Sequence, residues 1–111
     1  MKQKRVYIDY LQDILENAKK GKEFVAGMSG DEFLKDEKTV FAVIRAIEVL
    51  GEATKKIPRE VREKYPQIPW REMAGTRDKL VHEYFGVNLV VIWKTETEDI
   101  PSWIPLLQQI F

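Results

Sequence analysis

From Asp36 to Ile57 an apolar side chain returns every third or fourth residue: Val40, Val43, Ile44, Ile47, Leu50 and Ala53. That is the helical period, and an apolar face this broad predicts a central helix that touches several neighbours. Ala46 and Gly51 leave room for a close approach by another backbone. Asp36 stands where an N-cap is needed, and Pro58 ends the run. The opposite side holds Arg45, Glu48 and Glu52 at helical spacings, flanked by Phe41. Two readings of that side are open. It is a solvated charge ladder, which adds little to stability, or Arg45 or Glu52 supports functional residues on an adjacent helix.

The rest of the chain supplies partners for this helix. Tyr7, Tyr10, Leu11, Ile14, Leu15 and Ala18 follow helical spacing, and the pattern continues through Val25 to Met28 with Gly21 as a weak point. Ser29-Gly30-Asp31-Glu32 has the form of a capping box and should open a short turn carrying Phe33 and Leu34. After Pro58, residues 59 to 64 suit one or two helical turns. Tyr65-Pro66-Gln67-Ile68-Pro69 is a stiff connection, and Pro69 is well placed to start a helix from Trp70 to about Val81. Asn88 is positioned to cap a further helix with Leu89, Ile92 and Trp93 inward. Val90-Val91-Ile92 is β-prone, but no second strand exists to pair with it. Pro101-Ser102 should break that helix, with Ser102 capping a last segment that has Pro105 in its first turn and Trp103, Ile104, Leu107 and Ile110 buried. The expected fold is all-α, an up-and-down four-helix bundle with short extra helices. A chain of 111 residues makes one domain spanning 1–111.

Composition narrows the function classes. At 44% hydrophobic and 32% charged the chain reads as globular and soluble. Formal net charge is zero, so overall electrostatics do not announce a nucleic-acid binder. Yet between Ala53 and His82 eight basic residues face four acidic ones, which is compatible with RNA. The absence of cysteine excludes disulfides and thiolate metal sites, and it fits a cytoplasmic location. A single histidine argues against a dedicated metal site, so neither metal nor other cofactor is expected. The N-terminal stretch lacks an apolar signal core, and no apolar run reaches the length of a membrane span.

The chemistry concentrates in Arg77-Asp78-Lys79-Leu80-Val81-His82-Glu83-Tyr84, which holds that histidine. Trp70, Met73, Ala74, Leu80 and Val81 mark one apolar face, and Arg77 falls within it, where a guanidinium needs a partner or a pocket. Arginine offers a planar fork suited to phosphate, and histidine exchanges protons near neutral pH. With the phenol of Tyr84 beside them, these groups suit acid–base chemistry on a phosphate ester. Helical geometry limits how they act. Arg77 and Tyr84 stack about 20° apart, whereas Arg77 and His82 splay by roughly 140°. Either the helix unwinds near His82, as Gly86 and Asn88 favour, or a second chain completes the site. Arg77 has a structural alternative as well, an ion pair with Glu52 or Glu48.

Arg, four residues, His, one residue, Tyr resembles the motif of HepT-like toxins, a branch of the HEPN superfamily of small helical ribonucleases. Phe33-Leu34-Lys35-Asp36-Glu37-Lys38-Thr39, Glu48-Val49-Leu50-Gly51-Glu52-Ala53, Ile68-Pro69-Trp70-Arg71 and Val81-His82-Glu83-Tyr84-Phe85-Gly86-Val87 resemble that family too, so the likeness covers nearly the whole chain. The resemblance implies a helical homodimer with two motif copies facing a shared cleft. It implies metal-independent RNA cleavage with Arg77 and His82 as catalytic residues. It also implies a type VII toxin–antitoxin pair whose MntA-like nucleotidyltransferase antitoxin adenylylates Tyr84. A non-catalytic helical module that binds a nucleotide or a partner is the alternative from a different functional class.

Overall fold

The computed structural model describes residues 6–85 and 88–111; for 81–85 it describes the backbone alone. Every regular element among the described residues is helical: α1 (Tyr7–Phe24), α2 (Gly30–Lys35), α3 (Glu37–Lys55), α4 (Arg59–Lys64), α5 (Trp70–Phe85), α6 (Leu89–Lys94), a π-helical turn (Thr95–Asp99) and α7 (Ile100–Gln108). The expected all-α bundle is present, and no described helix is long and apolar enough to cross a membrane.

As its breadth of apolar surface requires, α3 occupies the middle. It packs against α1 on one side and α5 on the other, while the rod formed by α6, the π turn and α7 lies across α5 and α1. Val43, Ile47 and Leu50 of α3 join Leu11 and Ile14 of α1, Met73 of α5 and Leu107 of α7 in one core, all essentially without solvent contact. Phe33 of the short α2 is also fully buried, with its ring 5.2 Å from that of Trp93.

Helix starts follow local hydrogen-bond chemistry. The Ser29 hydroxyl accepts from the Glu32 N–H at 3.2 Å while the Glu32 carboxylate accepts from the Ser29 N–H at 2.9 Å, completing the capping box. The Asp36 carboxylate accepts from the Thr39 N–H at 3.1 Å to open α3, and the Asn88 side chain accepts from the Val91 N–H at 3.2 Å to open α6.

Three boundaries differ from the sequence expectation. Helix α1 stops at Phe24, short of Met28, because the chain turns through Gly27 at φ 77°, a left-handed conformation that glycine adopts without strain. Helix α5 continues to Phe85, past Val81 and past His82, so no unwinding occurs at the motif. Between Trp70 and Phe85 the only glycine is Gly75, and no proline interrupts the run. Pro101-Ser102 does not break the rod. The chain widens into the π turn just before Pro101, where the Ile100 N–H bonds the Thr95 carbonyl five residues back. That wider spacing accommodates a proline with no N–H to give. Thr95 and Thr97 hydroxyls donate to the Val91 and Trp93 carbonyls at 2.9 and 2.7 Å, satisfying acceptors around the widened turn. Ser102 is not a cap; its hydroxyl donates to the Asp99 carbonyl. Pro105 sits inside α7.

Candidate active site

Gly51 sets the distance between α3 and α5. A β-carbon there would come within 2.9 Å of the Thr76 hydroxyl and 3.1 Å of the Arg77 backbone nitrogen. The two backbones therefore touch at this level, and the side chains flanking the contact pair across it. Arg77 Nε lies 3.1 Å from Glu52 Oε1, and one turn along, Lys55 Nζ lies 3.3 Å from Asp78 Oδ1. Gly51 thus does what its small size predicted.

Arg77 is not on the buried stripe. Its side chain is 44% exposed and that of Glu52 50%. The inward positions of α5 are Trp70, Met73, Thr76 and Leu80. Hydropathy alone hides Thr76, whose hydroxyl is satisfied within its own helix by donating 2.7 Å to the Met73 carbonyl. With Thr76 inside, the stripe is displaced and Arg77 emerges at its edge. The partner that Arg77 was expected to need is Glu52. The other candidate supporting residue, Arg45, pairs with Glu48 along its own helix. Arg45 and Glu52 still line one shallow depression of about 210 Å³ between α1 and α3, together with Lys56.

The side chains of His82 and Tyr84 lie outside the described residues. Their backbone positions are helical, and the register is that of an uninterrupted α5. Position 84 therefore falls about 20° from Arg77 around the axis, and position 82 roughly 140° away. Among the described residues no three His, Cys, Asp or Glu side chains cluster as metal ligands would.

Two features lay beyond the sequence reading. The first is Glu96, inside the π turn. It is 1% exposed, and neither carboxylate oxygen has a hydrogen-bond partner. Loss of hydration pushes its pKa from 4.5 up to about 8. It fills the notch left by Gly21 on α1, where a β-carbon would fall 1.9 Å from Glu96 Oε1. The Thr-Glu-Thr-Glu-Asp run looks like solvated surface, and only the buried Gly21 hinted at a close approach. The second is an open groove of about 1030 Å³ running from the end of α3 over α4 to the first half of α5.

The family model described as ribonuclease HepT-like matches residues 14–110. This chain belongs to the HepT-like ribonuclease family. A Thermococcus cleftensis protein named "Probable ribonuclease HepT" is 54% identical over 99 residues, covering 89% of this chain and 90% of that protein. A Methanocaldococcus jannaschii protein named as an RNase is 50% identical over 101 residues, covering 91% of this chain and 84% of its own length. Another RNase-named protein, from Caldanaerobacter subterraneus, is 48% identical over 93 residues, covering 84% of this chain and 83% of that protein. No solved structure matches the chain. Arg77, His82 and Tyr84 remain the candidate site residues, and of the three only the side chain of Arg77 is described, paired with Glu52 of α3.

Proposed function

We propose that this chain is a metal-independent endoribonuclease, active as a homodimer, and the toxin of a type VII toxin–antitoxin pair. The observation that carries the reading is Arg77 itself. It is a solvent-accessible guanidinium, paired with Glu52 of α3, and it lies on the same uninterrupted helix as positions 82 and 84. Because that helix does not unwind, Arg77 and His82 of one chain cannot stack on one face. A second copy across a two-fold axis would bring an Arg77 to each His82, which favours the composite site.

In the proposed reaction the RNA 2′-hydroxyl attacks the adjacent phosphorus. His82 takes the hydroxyl proton. The bond from phosphorus to the 5′-oxygen breaks, and the leaving oxygen receives a proton from the His82 of the second copy. The products are a 2′,3′-cyclic phosphate and a 5′-hydroxyl end. Arg77 holds the non-bridging oxygens and stabilises the charge that builds on them. Glu52 fixes the guanidinium in place.

Regulation in this reading falls on Tyr84. A nucleotidyltransferase antitoxin of the MntA type transfers the adenylyl group of ATP to the phenol oxygen, and pyrophosphate leaves. Tyr84 is not in an unwound loop, as the sequence had led one to expect, but in the last turn of α5. Two helical turns separate it from Arg77 on nearly the same face, about 10 Å along the axis. The new phosphate takes up the space meant for RNA phosphate, and the nucleoside obstructs the cleft.

The Arg77–Glu52 pair also suits the second reading, a non-catalytic binding module, since it satisfies the guanidinium without any substrate. One experiment separates the two. The purified protein is incubated with RNA in the presence of a chelator, alongside His82→Ala and Arg77→Ala variants of unchanged circular dichroism. The ribonuclease reading expects cleavage by the wild type only, and an inert wild type selects the binding module.

A further inference from the structure

The wide groove beside the first half of α5 carries its own charge pattern. Lys55, Arg59, Arg62 and Arg71 line it, against Glu63 and Asp78. Both acids are already engaged, Glu63 with Arg59 at 2.8 Å and Asp78 with Lys55 at 3.3 Å. Arg62 and Arg71 are exposed and form no ion pair among the described residues. Two guanidiniums therefore face the groove with their donors uncommitted, and guanidinium is the side chain best matched to phosphate.

The floor is bare. It is formed by Ala74 and Gly75, and a β-carbon added at Gly75 would meet nothing within 4 Å. The walls are braced: the Trp70 indole N–H donates to the Arg62 and Tyr65 carbonyls at 3.2 and 3.0 Å, fastening the α4 segment to the start of α5. Those bonds use backbone carbonyls, so the Arg62 side chain takes no part in the brace.

The direction of the groove links it to the candidate site. Arg71, Gly75 and Asp78 follow one another at steps of four and three along α5, and the next step of four is position 82. The face that floors the groove is thus the face carrying the motif histidine, roughly 16 Å from position 71 at the helical rise. That distance is a few nucleotides of extended strand, not one mononucleotide.

We propose that this groove is an extended phosphodiester-binding track, in which Arg62 and Arg71 hold backbone phosphates of a single RNA strand several nucleotides from the bond cut at His82. The inference rests on the ribonuclease reading for the identity of the strand and names where the substrate runs outside the cleft. An acidic peptide is the competing occupant. Two uncommitted guanidiniums beside a helix face whose register leads on to position 82 favour RNA.

The test reads binding, so it does not depend on turnover. A fluorescent 12-nucleotide 2′-O-methyl RNA, which has no free 2′-hydroxyl to attack, is titrated by anisotropy at several salt concentrations. Arg62→Ala/Arg71→Ala should weaken binding by about tenfold and lower the slope of log affinity against log salt by roughly 1.4, the value for two lost single-strand phosphate contacts. Lys19→Ala/Lys22→Ala, an equal charge change in a separate depression on α1 and α7, should leave affinity within twofold. Gly75→Leu should weaken binding with the salt slope unchanged, because it obstructs the floor without removing charge. Light scattering accompanies each variant. Any of the following overturns the proposal: Arg62→Ala/Arg71→Ala with wild-type affinity and slope; an equal loss in the α1 variant; or loss of the dimer together with loss of RNA binding, which would make the groove a subunit contact. A poly-glutamate peptide that binds wild type more tightly than the RNA does, with the same arginine dependence, also overturns it. A wild type that binds RNA through the groove yet never cuts it leaves the track standing and defeats the ribonuclease reading.

Discussion

Two glutamates on neighbouring parts of the bundle meet opposite fates. Glu52 stands at the α3–α5 contact, half exposed, with the Arg77 guanidinium 3.1 Å away. Glu96 is buried in the π turn against Gly21, with no partner for either oxygen. A carboxylate left in partial contact with water and paired with a guanidinium can orient that arginine at little cost. One pressed into a core without a partner relieves the strain by holding its proton. The first is therefore placed to position Arg77, and the second matters to the stability of the fold. Substitutions around each should separate activity from stability.

The largest expected effect lies on the Glu52 side. Arg77→Ala and His82→Ala should each lower the initial rate of RNA cleavage by about 10²–10⁴-fold, while the urea midpoint stays close to wild type. Retained cleavage in His82→Ala would remove that residue from the mechanism, and a collapsed midpoint would make Arg77 a structural residue like Glu96.

On the Glu96 side the expected effect is on stability and depends on pH. Its folded pKa, about 8, lies above the unfolded 4.5. Across that window the native state binds more protons than the unfolded chain. The contribution is fully present below the unfolded value and is lost as pH rises through about 8, by up to roughly 1.4 kcal/mol per pH unit. Glu96→Gln should match wild type near pH 5, exceed it by a few kcal/mol at pH 9 and cut RNA normally. Urea unfolding at pH 5, 7 and 9, followed by tryptophan fluorescence, measures the difference. Parallel curves for the two proteins would show that Glu96 finds hydration or a partner in solution.

The two glycine contacts sharpen the contrast. Gly51→Ala drives a methyl group against Thr76 and Arg77, and overpacking of this kind costs roughly 1–3 kcal/mol. It should also disturb the Arg77–Glu52 geometry and lower cleavage. Gly21→Ala, pushing into the Glu96 carboxylate, should lower stability alone. Equal effects on cleavage would show that the two regions are coupled.

The smallest expected change is the stability of Glu52→Gln. A half-exposed pair is worth about 0–1 kcal/mol, so thermal unfolding should barely move, while cleavage falls measurably and is rescued by Glu52→Asp in part. A large drop in melting temperature would place this pair with the structural elements.

Much of the scaffold was legible in the chain. Ser29 with Glu32, Asp36 and Asn88 each cap the helix that follows them, because a cap is a hydrogen bond within three residues and needs no tertiary context. The all-α class and the central place of α3 followed from the width of its apolar face. The Arg77, His82 and Tyr84 motif was legible as a resemblance carried by residue identity and order, not by helical periodicity. Pro101 reads as a helix break in sequence, but the helix has a third option besides continuing or breaking, the π turn just before it. Hydropathy places Arg77 within the apolar stripe, whereas the buried position is Thr76, whose hydroxyl bonds its own helix.

By itself, then, the sequence determined the helices, their caps, the central core helix and the spacing of Arg77, His82 and Tyr84, all of which depend on interactions a few residues long. Only the tertiary structure decided that Glu52 rather than Glu48 holds Arg77, that Glu96 fills the notch at Gly21, and that Arg62 and Arg71 share a groove. The first two depend on how closely two helices approach, which is set by the absent β-carbon of Gly51 or Gly21 and by what the neighbour places in the gap, and the third on how Trp70 fastens α4 to α5.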